Sequence, residues 1–118
     1  MQIGDIDADL LFLKSELIPV VIQHAISGEV LMVGYTNRDA LYKTLETNTA
    51  WFFSRSRKRL WNKGETSGNF LNVVEMIADC DYDALLYKCI PEGPTCHTGE
   101  QTCFHNTIRK NERKRVND

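Results

Sequence analysis

The sequence predicts an α+β fold in which a largely antiparallel sheet packs around one central helix. Apolar, β-branched segments follow one another with short polar connections, which is typical of antiparallel strands. Only one helical segment, at about residues 37–47, is long enough for a crossover between parallel strands. The chain has 118 residues, of which 42% are hydrophobic and 25% charged, so we expect one ordinary globular domain.

The amino-terminal part of the chain predicts a short helix and then a hairpin. Residues 6–17 combine four leucines with acidic side chains, which favours a short amphipathic helix. Residues 18–26 and 30–35 are apolar and rich in β-branched side chains, and Ser-Gly-Glu separates them. We therefore expect a β-hairpin in which Gly28 supplies the turn.

The central helix is the most clearly marked element. Thr36 precedes Asp39 by three positions, as in a capping box, and a stripe of apolar side chains follows. These features predict the helix at about residues 37–47. Further strands are expected to begin at Ala50 and to span residues 70–78 and 84–90.

The charged side chains are unevenly distributed. The formal net charge is −2, yet the last 13 residues carry five basic and only two acidic side chains, so the preceding body is more acidic than the whole. An acidic body disfavours general nucleic-acid binding. We expect a domain at 1–105, a charged tail at 106–118 that frays or folds back as a helix, and no nucleic-acid partner.

The use of the four cysteines depends on whether the protein lies in a reducing or an oxidising compartment. No apolar run approaches the roughly 20 residues of a membrane span, and the chain opens with acidic residues rather than a basic leader. A cytoplasmic protein without a membrane partner is therefore expected. There, four cysteines favour metal binding or catalysis over disulfides, although Cys89 lies in an apolar strand and is expected in the core.

Three carboxylates alternate with other residues just before the last predicted strand. In an extended strand, Asp79, Asp81 and Asp83 would share one face and Cys80 would project from the other. Their repulsion would be relieved by a cation, and oxygen ligands suit Mg²⁺. An EF-hand loop is excluded because Ala and Ile occupy the positions that require Gly and a bidentate Glu. A solvated acidic turn is the alternative.

Three thiols could form a second metal site. Cys80, Cys96 and Cys103 are widely spaced, but glycines and a proline place the last two in a loop, where side chains can converge. Three protein ligands leave the open position of a catalytic zinc. His97 is expected to be a fourth ligand, a general acid or base, or a surface residue. Because Cys80 and the aspartates face opposite ways, one chain cannot easily direct both sets of ligands at a single small substrate. We therefore expect a homodimer in which Cys80 of one subunit joins Cys96 and Cys103 of the other.

A basic and polar stretch spans residues 54–69. Guanidinium groups, hydroxyls and glycine backbone N–H groups would suit a phosphate cradle, although basic runs are also typical of a solvated face. Trp51 and Trp61 could stack on a base or pack in the core.

The sequence resembles the phosphoribosyl-AMP cyclohydrolase family of histidine biosynthesis. The matching segments, in chain order, are VLMVGYTN at 30–37, FSRSR at 53–57, LWNKGETSGN at 60–69, DCDYD at 79–83 and GPTCH at 93–97, followed by Cys103. The resemblance implies an enzyme that opens the adenine ring of phosphoribosyl-AMP by hydrolysing the bond between N1 and C6. It also implies an intertwined homodimer.

The resemblance also implies site residues. One Zn²⁺ per subunit would be shared between subunits on Cys80, Cys96 and Cys103, and one Mg²⁺ per subunit would lie on the three aspartates. For the mechanism, the hypothesis is that His97 moves protons to or from the ring. In the same hypothesis, the residues that hold the two phosphates are Ser54, Arg55, Arg57, Lys63 and Ser67.

This chain departs from the family pattern in two positions and in length. Many relatives have His in place of Asn69 and Gln in place of Leu71. Some relatives are fused to a pyrophosphohydrolase that makes the substrate. This chain stops about where that domain would begin, so the upstream activity is expected to be absent.

Two other functions are weighed against this one. A zinc nucleotide deaminase would need His-x-Glu and Pro-Cys-x-x-Cys elements, and the sequence has neither around His97. A non-enzymatic zinc module that binds RNA would need a closed four-ligand zinc and would bind more weakly as salt rises.

Overall fold

The computed structural model describes residues 2, 3 and 6–111. Within these residues the elements are, in chain order, β1 Gln2–Ile3, β2 Ile6–Asp7, α1 Ala8–Leu11, β3 Ile18–His24, β4 Val30–Thr36, α2 Arg38–Thr47, β5 Trp51–Ser54, β6 Arg59–Asn62, β7 Leu71–Ala78 and β8 Leu85–Pro91. None of the helices described is long and apolar enough to cross a membrane.

A four-stranded sheet in the order β4-β3-β8-β7 forms the centre of the structure. The pairs β3–β4 and β7–β8 are antiparallel, and β3 and β8 pair in parallel. The strands β5 and β6 form a separate antiparallel pair, as do β1 and β2. The predicted α+β class with a mostly antiparallel sheet is therefore confirmed.

The hairpin of β3 and β4 is confirmed together with its turn. Gly28 has φ +80°, a value that glycine adopts without the penalty of a Cβ. The turn is closed by the His24 N–H, which donates to the Glu29 carbonyl at 2.7 Å, and by the Gly28 N–H, which donates to the His24 carbonyl at 3.0 Å.

The central helix is confirmed as α2, but its expected cap is wrong. The Asn37 carboxamide oxygen, not Thr36, accepts the Ala40 N–H at 2.9 Å. Thr36 is fully buried, and its hydroxyl donates instead to the Asn37 carbonyl. Both residues are good caps, so the sequence did not distinguish them. Asn48 ends the helix in the left-handed conformation with φ 60°.

Thr44 joins α2 to β5 through a fully buried hydroxyl. The hydroxyl donates to the Ala40 carbonyl at 3.0 Å and accepts from the Trp51 N–H at 3.0 Å. Thr44→Val should leave that N–H without a partner, lowering the free energy of unfolding by about 1–3 kcal/mol in urea titrations. Exposed Thr107→Val should have almost no effect. Equal stability of the two variants would contradict this role.

The helix expected over residues 6–17 is much shorter in the structure. Only Ala8–Leu11 is helical, and β2 precedes it. The leucines of this segment are too irregularly spaced to give a long helix one continuous apolar face, and a single turn is therefore all that packing supports.

Three strands of the described residues were not predicted, namely the two-residue strands β1 and β2 and the longer β6. The strand β6 lies inside the basic stretch, and its residues include arginine and asparagine, which hide the alternation typical of a strand. It pairs with β5 so that Trp61 lies opposite Phe52, with ring centroids 5.2 Å apart. This pairing stabilises the basic stretch as a hairpin.

The core lies around β3, β8 and the inner face of α2 and β5. Cys89 is fully buried there, as predicted. In the tail, residues 106–111 contain no helix or strand, and the expectation for residues 112–118 lies outside the described residues.

Candidate functional site

A cleft of about 530 Å³ lies between the β5–β6 hairpin with its following loop and the loop after β8. It joins two parts of the sequence, residues 54–69 and 94–99, that are about 25 residues apart along the chain. The predicted site residues that line it are Ser54, Arg57, Lys63, Ser67, Cys96 and His97.

Glu65 shapes the basic wall of this cleft. Its carboxylate accepts the Asn62 N–H at 2.8 Å and lies 3.2 Å from an Arg59 guanidinium nitrogen. The Asn62 N–H, helped by Arg59 and opposed by burial, holds the pKa of Glu65 below its usual value. Arg57 and Lys63, by contrast, form no ion pair with any other described residue, so both cations can bind an anion.

Arg55 lies outside this cleft. Its guanidinium carbon is 4.0 Å from the centroid of the Tyr35 ring, which is a cation–π contact. It lines a neighbouring aromatic cleft with Tyr35 and Phe53, and Ser54 and Trp61 line both clefts. Arg55 and Arg57 therefore line different clefts, which share Ser54. If both arginines bind phosphate, as predicted, they would do so at two different places.

Cys96 is a buried thiol with polar groups around its sulfur. The Thr98 hydroxyl donates to Sγ at 3.1 Å, and His105 Nε2 lies 3.6 Å from it. The Thr98 hydroxyl and backbone N–H, together with His105, lower the pKa of Cys96 to about 6. A thiolate therefore predominates at neutral pH, which suits a metal ligand or a nucleophile.

Cys103 is held next to Cys96 by contacts with β4. Its N–H donates to the Leu31 carbonyl at 2.8 Å, and the preceding Thr102 hydroxyl donates to the Val30 carbonyl at 2.7 Å. Partial burial, together with the charge and hydrogen bond of Cys96, raises the pKa of Cys103. The two thiols therefore lie close enough to influence each other.

Cys80 does not join these two thiols within one chain. It is exposed in the turn after β7. Within residues 7–111, the only group of three or more potential ligands whose atoms lie within 4.8 Å of one another is the aspartate cluster. A site that includes all three cysteines would thus need a second subunit, which stays a prediction.

The aspartates converge through a turn, which corrects the expectation of a strand. Asp79 Oδ1 accepts the N–H groups of Asp83 and Ala84 at 3.0 and 3.1 Å, and Tyr82 has φ 60°. The carboxylates still meet, because the turn brings alternate side chains to one side. Because these residues lie in a turn, strand alternation gives no reason to expect a dimer. The reason is instead that Cys80 lies apart from Cys96 and Cys103 within one chain.

The carboxylates of the aspartate cluster interact with one another and with Lys14. The Lys14 ammonium lies 3.5 Å from Asp81 Oδ2 and 3.4 Å from Asp83 Oδ2. Asp81 nevertheless raises the pKa of Asp83, against the opposing effect of Lys14. Burial raises the pKa of Asp79, but the backbone N–H groups of Asp83 and Ala84, together with hydrogen bonds with the Asp81 and Asp83 side chains, outweigh it and the pKa is lowered. These oxygen donors fit a hard divalent cation such as Mg²⁺.

The structure adds His105 to the candidate site. This residue was not selected from the sequence, although it follows Cys103 by only two residues. Of the two departures from the family pattern, Asn69 lines the cleft beside Gly93, whereas Leu71 is fully buried in the core. Only Asn69 is placed to contact a ligand.

The sequence matches known proteins closely. The model of the family described as Phosphoribosyl-AMP cyclohydrolase matches residues 32–105. The Phosphoribosyl-AMP cyclohydrolase of Clostridium botulinum strain 657 is 52% identical over 109 residues, which are 92% of this chain and 99% of the relative.

Longer relatives match as well. The Histidine biosynthesis bifunctional protein HisIE of Escherichia coli K12 is 62% identical over 94 residues, which are 80% of this chain and 46% of the relative. The protein of the same name from Thermus thermophilus is 54% identical over 102 residues, which are 86% of this chain and 48% of the relative. The chain spans about half the length of these bifunctional relatives.

Proposed function

The chain belongs to the phosphoribosyl-AMP cyclohydrolase family, and from this premise we propose that it opens the adenine ring of phosphoribosyl-AMP in histidine biosynthesis by hydrolysing the N1–C6 bond. The observation that carries the proposal is the shared cleft. It joins Cys96 and His97 to Arg57 and Lys63, so a thiol and an imidazole lie beside two cations that form no ion pair with another described residue. A substrate with two phosphates and a reactive purine needs this combination.

The donor sets fit the two metals. Cys96 and Cys103 are adjacent thiols, one of them with a pKa of about 6, and soft sulfur ligands suit zinc. Cys80 would come from the second subunit of a homodimer, giving one zinc per subunit with three ligands. Zinc held in this way would lower the pKa of a coordinated water towards neutrality and so supply the nucleophile for hydrolysis. The aspartates would hold one Mg²⁺ per subunit.

The reaction requires one proton to reach the leaving nitrogen. The water oxygen bonds to C6 and becomes the carboxamide oxygen, and the N1–C6 bond breaks. One water proton goes to N1 and the other is released, which removes the positive charge of the ring and gives an imidazole carboxamide that carries a formimino group. N1 already bears positive charge in the substrate, so addition at C6 is electronically favoured. His97 lines the cleft next to Cys96, and we assign the transfer of the proton to N1 to it.

Phosphate binding is assigned to the basic wall of the cleft. Arg57 and Lys63, with the hydroxyls of Ser54 and Ser67, surround the space in which one phosphoribosyl arm would lie. Arg55 faces the neighbouring cleft across Ser54, so we assign it to the second arm. Ser54 lines both clefts and would lie between the two arms.

Metal removal tests the proposed function. The purified protein should open the ring, followed by the absorbance change of the purine, and a zinc chelator should abolish the activity. Zinc added back after the chelator is removed should restore it. Undiminished turnover by protein shown to be metal-free would contradict the proposal. Ammonia release would instead indicate a deaminase, and salt-sensitive RNA binding without turnover a zinc module.

A further inference from the structure

Two side chains from different parts of the chain meet at the Cys96 sulfur. Thr98 follows Cys96 by two residues, and its hydroxyl donates to Sγ at 3.1 Å. His105 follows by nine residues, beyond Cys103, and its Nε2 lies 3.6 Å from the same sulfur. A sulfur contacted by both groups has little freedom to rotate.

The backbone around Cys96 holds Thr98 in place. The Gly99 N–H donates to the Cys96 carbonyl at 3.0 Å, and Gly99 has φ +95°, so the chain turns sharply just after Thr98. The loop is closed by the Cys96 N–H, which donates to the Glu100 carbonyl at 3.1 Å. The Thr98 hydroxyl is therefore directed back towards the sulfur by a tight, hydrogen-bonded turn.

His105 is placed by a separate anchor. The Thr102 hydroxyl donates to the Val30 carbonyl at 2.7 Å and accepts the Phe104 N–H at 3.0 Å. These bonds fix the segment just before His105 against the start of β4, a strand of the central sheet. The imidazole thus reaches Cys96 from a rigid base.

We infer that Thr98 and His105 are positioning residues that hold the Cys96 sulfur in the orientation in which it binds zinc. The inference rests on the proposed function, because it concerns the same metal site. Hydrogen bonds to a ligand atom fix its direction before the metal arrives, and removing such a partner typically weakens metal affinity about 10–100-fold. With Nε2 protonated, both residues donate to the sulfur.

Thr98 is tested with a pair of substitutions. Thr98→Val keeps the shape of the side chain but removes the hydroxyl, so zinc affinity should fall about 10–100-fold, whereas Thr98→Ser should remain close to wild type. Zn²⁺ affinity is measured by competition with a chromophoric chelator. Thr107→Val makes the same chemical change at an exposed site nearby and should leave affinity unchanged.

His105 is tested with substitutions that differ in one N–H group. His105→Ala should weaken zinc binding, and His105→Gln should restore much of it, because the Gln Nε2 can donate from a similar position. The visible spectrum of the Co²⁺-substituted protein should be the same in both variants, since a positioning residue does not change the set of ligand atoms. Thermal unfolding of the metal-free proteins should also be unchanged.

The outcomes separate this inference from the proposed function. If the wild type binds no zinc, the proposed function fails. If the wild type binds zinc and both Thr98→Val and His105→Ala bind it equally tightly, the inference alone is wrong. A Co²⁺ spectrum altered by His105→Ala, with no recovery in His105→Gln, would make His105 a metal ligand and would also overturn the positioning role.

Discussion

The variants Cys80→Ala and Cys96→Ala should each be inactive alone, and mixing their subunits should restore activity. Each site proposed here takes Cys80 from one subunit and Cys96 with Cys103 from the other. In a heterodimer of the two variants, both lesions fall in the same site, and the second site is complete. The prediction follows from the finding that Cys80 does not gather with the other two thiols within one chain.

The size of the recovery can be calculated. Random exchange of equal amounts gives about half heterodimers, and each has one intact site of two, so the mixture should reach about a quarter of wild-type activity. The bound zinc should recover by the same fraction. The variants are unfolded together in mild denaturant and refolded, and activity and zinc content are then compared with those of each variant treated alone.

A matched mixture provides the control. Cys96→Ala and Cys103→Ala remove ligands that come from the same subunit, so every site in their heterodimer lacks one thiol and no activity should return. Heterodimers are isolated through two different affinity tags. Recovery of activity in this control would contradict a shared site, and so would the absence of activity in isolated heterodimers of Cys80→Ala and Cys96→Ala. Full activity of Cys96→Ala alone would remove this thiol from the mechanism.

Much of the fold follows from local pattern. The β3–β4 hairpin, α2 and the strands β7 and β8 lie close to their predicted positions, because each presents an apolar face of one clear period beside strong turn residues such as Gly28 and Asn48. β6 was missed because its pairing with β5 depends on partners across a turn rather than on its own composition.

The candidate site was only partly predictable from sequence. The spacing of the aspartates is the same in a strand and in a turn, so the sequence indicated that they meet but not how. The contact of His105 with Cys96 depends on the Thr102 bond to β4, which joins residues more than 70 positions apart. Arg55 was grouped with Arg57, yet side chains near the end of β5 project into two different clefts.

Gly64→Ala should destabilise the protein much more than Gly68→Ala, although both glycines lie in the same loop with positive φ. The φ values are +103° and +84°, so either alanine would incur the cost of a left-handed backbone, about 1–2 kcal/mol. At Gly68 the new Cβ would meet no atom within 4 Å. At Gly64 it would lie 2.6 Å from the Phe70 nitrogen and 2.7 Å from the Asn69 carbonyl carbon.

Backbone atoms cannot rotate away as a side chain can, so Gly64→Ala must move the segment at Asn69 and Phe70. The total loss in the free energy of unfolding, measured in urea, should reach about 4 kcal/mol or more. Gly64 and Asn69 both line the cleft, so the displacement should also raise KM, whereas Gly68→Ala should change KM little. Equal losses of stability in the two variants would show that the close approach of Asn69 and Phe70 to Gly64 does not constrain the fold. The basic wall would then be shaped by the bond from the Asn62 N–H to Glu65 instead.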